Sequence, residues 1–105
     1  MNILFICSRN QWRSRTAETI FKEDQRHQFR SAGTADNARI RVNEKLIRWA
    51  DLIFVMEKHH KIRLEEKFDG VINDKKIVIL DIADDYEYMD EELVEILRMS
   101  VEGFL

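Results

Sequence analysis

Three continuous apolar runs, residues 2–6, 52–56 and 77–80, constrain this chain more than any other feature. Each is too short for a helix and is closed by polar residues, so each predicts a strand buried on both faces. Residues 28–32 form a weaker candidate, ended by Gly33. Between the runs lie helical patterns: Ala17, Ile20 and Phe21 on one stripe, Val42, Leu46, Trp49 and Ala50 on a second, and a fainter one over residues 57–68. The strongest follows Asp90, with Leu93, Ile96, Leu97, Val101 and Phe104 on one face. Strands alternating with helices predict an α/β fold, a parallel sheet with helices on both faces.

Ser14, Asn43 and Asp90 are the candidate helix caps, and Glu91 and Glu92 suit the positive end of the last helix. Residues 34–41 read as a polar connection. The whole chain, 105 residues, predicts one domain over residues 1–105. A balance of 45% hydrophobic and 35% charged residues is that of a globular protein rather than a disordered one. No run approaches the ~18 apolar residues of a membrane span, and arginines follow the first strand too soon for a signal peptide, so a cytoplasmic protein is expected. A formal charge of -3 with interspersed signs gives no basic face for nucleic acid and no polybasic membrane signal. The single cysteine excludes an internal disulfide and a Cys-rich zinc site.

That cysteine, Cys7, ends the first strand and opens a polar loop, Cys7-Ser8-Arg9-Asn10-Gln11-Trp12-Arg13-Ser14, which leads into a helix. A phosphate monoester needs convergent N–H groups, a fixed positive charge and exclusion of water. The amides of residues 8–13 can curl around an anion, the helix adds its positive end, and Arg13 can grip two oxygens with its planar fork. The same field favours the thiolate of Cys7, the reactive form, and Ser14 can donate a hydrogen bond to the sulfur. The Cys-x5-Arg spacing alone is a weak signal; its place between strand and helix strengthens it. In open parallel sheets ligands bind beyond the carboxyl ends of the strands, which brings Cys7 near the acidic segment after the last strand.

With Ile6-Cys7, Asn10, Arg13, Ser14, Thr16-Ala17-Glu18, Ser31-Ala32-Gly33-Thr34, Ala50-Asp51-Leu52-Ile53, Met56 and Asp84-Asp85-Tyr86 in this order, the sequence resembles the low-molecular-weight protein tyrosine phosphatases. It looks closest to their compact bacterial branch. The resemblance implies a three-layer sandwich around a four-stranded parallel sheet of order 2-1-3-4. It also implies hydrolysis of phosphotyrosine or aryl phosphates through a cysteinyl-phosphate, with no metal or cofactor, in a monomer or weak dimer. Cys7, Arg13 and Asp84 would be catalytic. Ser8, Arg9, Asn10, Gln11, Trp12, Arg13 and Ser14 would bind phosphate, with Tyr86 lining an aryl cleft.

Asp84 aligns best with the family's acid, and Asp85, Asp81 and Asp90 remain alternatives. Trp12 stands where many relatives carry a second loop cysteine, so a protective disulfide is excluded. Arg9 and Arg15 replace a glycine and a proline, and Asp85 replaces the proline of the acid loop, which leaves the loop mouth more basic and the acid loop freer. Trp12 offers a second aromatic wall. His59 and His60 lack the spacing of a helical metal pair and read as a solvated face, and Trp49 reads as core. Two other functions share these residues: a phosphate or phosphopeptide binding module without catalysis, and an arsenate reductase that uses an external thiol.

Overall fold

A computed structural model describes all residues from Met1 to Leu105. The elements run β1 (Asn2–Cys7), α1 (Arg13–Phe21), β2 (Gln28–Gly33), α2 (Glu44–Trp49), β3 (Leu52–Val55), α3 (Lys58–Lys67), β4 (Lys76–Ile79) and α4 (Glu91–Val101), then a 3-10 turn, Glu102–Phe104. The four strands pair in the order β2-β1-β3-β4, all in parallel. This is the α/β architecture expected from the alternating pattern, in the strand order that the resemblance implies.

Because side chains alternate along a strand, β1 feeds two cores. Ile3, Phe5 and Cys7 join Ala17 and Phe21 of α1 and Leu93, Leu97 and Val101 of α4. Leu4 and Ile6 join Ile47 of α2 and Leu64 of α3 on the other face. Phe5 stacks on Phe54, Phe21 and Phe29 with ring centroids 5.5, 5.9 and 6.2 Å away. Burying a side chain of that kind is worth roughly 1.5–3 kcal/mol, so the aromatic cluster anchors β1 between its neighbours.

Asn43 and Asp90 cap their helices through side-chain oxygens, as their sequence positions suggest. Ser14 does not: α1 begins at Arg13 with Trp12 before it and no side-chain cap, because the Ser14 hydroxyl is drawn into the loop instead. The fourth strand sits one residue earlier than the apolar run, at Lys76–Ile79, since Lys76 already pairs with Leu52 and Ile79 pairs with Val55, the last residue of β3. Trp49 is half-buried, with the Arg30 guanidinium 4.5 Å from its ring centre. No helix is long and apolar enough to cross a membrane.

Candidate active site

The loop after β1 is shaped from behind. The carbonyls of Cys7, Ser8 and Arg9 accept the N–H groups of Thr34, Ala35 and Arg39 at 3.0, 2.9 and 2.9 Å. Arg39 Nε donates to Asn10 O at 3.0 Å. Four consecutive carbonyls therefore point back toward the segment after β2. The N–H groups of Ser8, Arg9, Gln11, Trp12 and Arg13 donate to no protein acceptor, which is the arrangement of an anion cradle. A Cβ on Gly33 would collide with Ser8 O and lie 2.7 Å from Ala38 Cβ, so only glycine lets the loop pass this close to β2.

Asn10 adopts a left-handed backbone, φ 59°, a conformation asparagine tolerates better than most residues. The turn brings its N–H to Cys7 Sγ at 3.2 Å. Its Nδ2 donates to Ser14 Oγ at 2.7 Å, and the Ser14 hydroxyl, with one proton to give, lies 3.0 Å from Cys7 Sγ and 3.4 Å from Ala32 O. The Asn10 amide and the Ser14 hydroxyl thus both face the sulfur. Cys7, Arg9, Gln11, Trp12, Arg13 and Asp84 line one narrow pocket of about 30 Å³. A buried water needs about 10–15 Å³ on this measure, so the floor has room for a small oxyanion and none for an aromatic ring.

Arg13 is only 2% exposed. Its Nη1 donates to Glu57 Oε1 at 2.5 Å and to Ile82 O at 2.8 Å, and its Nε lies 3.5 Å from Asp84 Oδ1. With Nη1 fully occupied, Nε and Nη2 are the pair left to grip an oxyanion. Among the acid candidates, Asp84 lines the pocket and Asp85 does not; Asp90 caps α4. Tyr86 is also absent from the pocket. Its ring packs against the core beneath α4, and partial burial, then the charges of Glu92, Asp85 and Asp90, push its hydroxyl above the usual phenol range. Trp12, 42% exposed, is the aromatic residue that lines the pocket.

No protein-family model matches the chain, and no curated protein matches it. Solved structures do. The YwlE arginine phosphatase, as a mutant with serine in place of its active-site cysteine, is 23% identical with a TM-score of 0.76, over 99% of this chain and 95% of that one. The tyrosine phosphatase Wzb from Escherichia coli is 22% identical, TM-score 0.75, over 98% and 94%. SP-PTP, a low-molecular-weight protein tyrosine phosphatase from Streptococcus pyogenes, is 17% identical, TM-score 0.76, over 99% and 90%. The chain has the low-molecular-weight protein tyrosine phosphatase fold.

Within this phosphatase fold, two residues around the loop escape sequence reading. Glu57, half-buried, pairs with Arg13 from the carboxyl end of β3. His60, expected on a solvated face, is fully buried, whereas His59 is exposed. Glu57 N–H donates to His60 Nδ1 at 3.0 Å, so the neutral ring carries its proton on Nε2 and donates it to Ser8 Oγ at 2.9 Å. His60 thereby ties the loop to the residue that holds Arg13. Oxygen and nitrogen atoms of Glu57, His59 and His60 lie within 4.8 Å of one another, but a cation there would break the Arg13 and Ser8 bonds.

Burial first, then the charges of His59 and Arg13, lower the His60 pKa from 6.5 to about 3. The unfolded chain takes up a proton below about 6.5 that the native state refuses. The contribution of neutral His60 is therefore complete above that pH and is lost as pH falls toward 3, at ~1.4 kcal/mol per pH unit. Urea unfolding at pH 6.5 and 4.5 should show wild type losing about 2–3 kcal/mol more than His60→Gln. Equal losses would refute the assignment.

Proposed function

We propose that this chain is a protein tyrosine phosphatase, a phosphoric monoester hydrolase that uses Cys7 as nucleophile and Asp84 as general acid. The observation that carries this reading is the meeting of Cys7, Arg13 and Asp84 in one narrow pocket, with the Asn10 amide and the Ser14 hydroxyl facing the sulfur. In the first step Cys7 Sγ attacks phosphorus, the P–O bond to the leaving group breaks, and the Asp84 carboxylic acid gives that oxygen its proton. In the second, water attacks the cysteinyl-phosphate, the Asp84 carboxylate takes the water's proton, and the S–P bond breaks to restore the thiolate. Arg13 and the loop amides hold the equatorial oxygens throughout.

Two solved relatives support the binding half of this scheme: Wzb is described in complex with phosphate, and the YwlE mutant carries a phosphorylated active-site serine. An aryl leaving group suits the mouth. Trp12 offers a ring face, while Arg9 lines the pocket and has no carboxylate partner, so it would repel a guanidinium leaving group such as that of phosphoarginine. The substrate is a phosphotyrosine-containing protein or a small aryl phosphate, met in the cytoplasm.

Hydrolysis of phenyl phosphate tests the assignment. Asp84→Asn should lower kcat/KM by about 10²–10³-fold, the usual contribution of a general acid, while Asp85→Asn stays within about threefold. The reverse ranking would move the acid to Asp85. Tight vanadate binding by a wild-type protein that turns over no ester would assign a binding module instead.

A further inference from the structure

The segment that carries Asp84 has almost no structure of its own. From Ala83 to Tyr88 no backbone N–H donates to a protein acceptor, and the chain contains no proline to restrict its dihedrals. Its order comes from its ends. At the near end Ile82 N–H donates to Met56 O at 2.7 Å and Ile82 O accepts from Arg13. At the far end Met89 N–H donates to Thr16 Oγ1 at 2.9 Å. There the Tyr88 ring lies 4.5 Å from the Arg15 guanidinium carbon.

The hydroxyl of Tyr88 adds a directed bond. Thr19 Oγ1 donates to Arg15 O at 2.9 Å, so its proton is engaged, and the Tyr88 hydroxyl is the donor in the 2.9 Å contact with Thr19 Oγ1. Met89 beside it is held at φ 63°, a strained state for a methionine that persists only where its surroundings fix it. These contacts fasten the acid segment to α1, the helix that starts at Arg13. The two partners of the reaction, loop and acid, thus share one rigid support.

We propose that Tyr88, gripped by Arg15 and Thr19, is a positioning residue that sets Asp84 against Arg13 and the leaving group; this rests on the hydrolase reading above. Arg15 is then the residue that stiffens the acid segment from outside, in a chain whose segment lacks proline. A cation–π contact and one neutral hydrogen bond are each modest, so the expected effect is a misplaced acid rather than an unfolded protein.

The test uses the leaving group. A good leaving group departs without a proton, and a poor one needs it. Tyr88→Ala should lower kcat/KM for phenyl phosphate by about 10–30-fold and that for dinitrophenyl phosphate by no more than about twofold. Vanadate inhibition should be unchanged. Tyr88→Phe keeps the ring under Arg15 and should fall about threefold on phenyl phosphate. Amide exchange of Met89 and Asp90, whose N–H groups bond Thr16 Oγ1 and Glu87 O, should quicken in Tyr88→Ala while that of α1 does not. Equal losses on both esters, or no loss, overturn the proposal. A wild-type protein that binds vanadate but hydrolyses neither ester sinks the hydrolase reading first; unchanged exchange at Met89 and Asp90 sinks the fastening itself.

Discussion

Cys7→Ser should abolish hydrolysis of an aryl phosphate, lowering kcat by at least ~10⁴-fold, while thermal stability stays close to wild type. The reason lies in what surrounds the sulfur. Asn10 N–H donates to it and the Ser14 hydroxyl lies 3.0 Å away, and neither is a base that could take a proton from a serine hydroxyl. A thiol reaches its anion unaided near neutral pH, and an alcohol does not. The site is buried, with Cys7 3% exposed, and serine is smaller and can keep both hydrogen bonds, so the fold should tolerate the change. Retention of a tenth or more of wild-type kcat would remove Cys7 from the mechanism.

Glu57→Ala should destabilise the protein by about 2–3 kcal/mol in urea unfolding and lower kcat/KM by ~100-fold. The Arg13 and Glu57 side chains are 2% and 30% exposed. Removing the carboxylate leaves a guanidinium charge nine-tenths out of water or more, held only by the Ile82 carbonyl and the more distant Asp84. The partial exposure of Glu57 keeps the loss below the ~3–5 kcal/mol typical of a fully buried pair. The freed Nη1 would then turn toward Asp84 or the pocket, which spoils the fork that remains for an oxyanion. Glu57→Gln retains an acceptor and should cost about half as much. A Glu57→Ala protein as stable and active as wild type would show that Arg13 needs no such partner.

Glu57 was hidden in the sequence for a definite reason. It follows β3 as Cys7 ends β1 and Asp84 lies beyond β4, so the rule that parallel sheets bind ligands beyond their carboxyl ends marks it as a candidate. Residues 57–68 instead read as a faint amphipathic helix, and an acid at its start carries no sign that it will pair with a buried arginine. His60 was hidden in the same way: adjacent histidines on a weak stripe carry no sign of which one the sheet will cover. Tyr86 shows the opposite case. Its resemblance to an aryl-binding residue comes from neighbours in sequence, and the fold packs its partly buried ring against the core cluster that includes α4.

What the residues determine by themselves is local and periodic. Apolar runs of strand length, amphipathic stripes and the caps Asn43 and Asp90 dictate the parallel α/β fold. The Cys7–Arg13–Ser14 spacing brings together the contacts around the sulfur, among Cys7, Asn10 and Ser14, which all lie within one stretch of loop. The partners that orient the cradle come from far along the chain: Thr34 to Arg39 behind it, Glu57 and His60 beside it, Asp84 and Tyr88 across it. Their placement depends on which strand lies next to which, with β3 rather than β2 carrying the loop's ion-pair partner, and on the register of parallel pairs such as Ile6 with Val55. No periodicity encodes that register. It is set only when two faces of one sheet are buried at once.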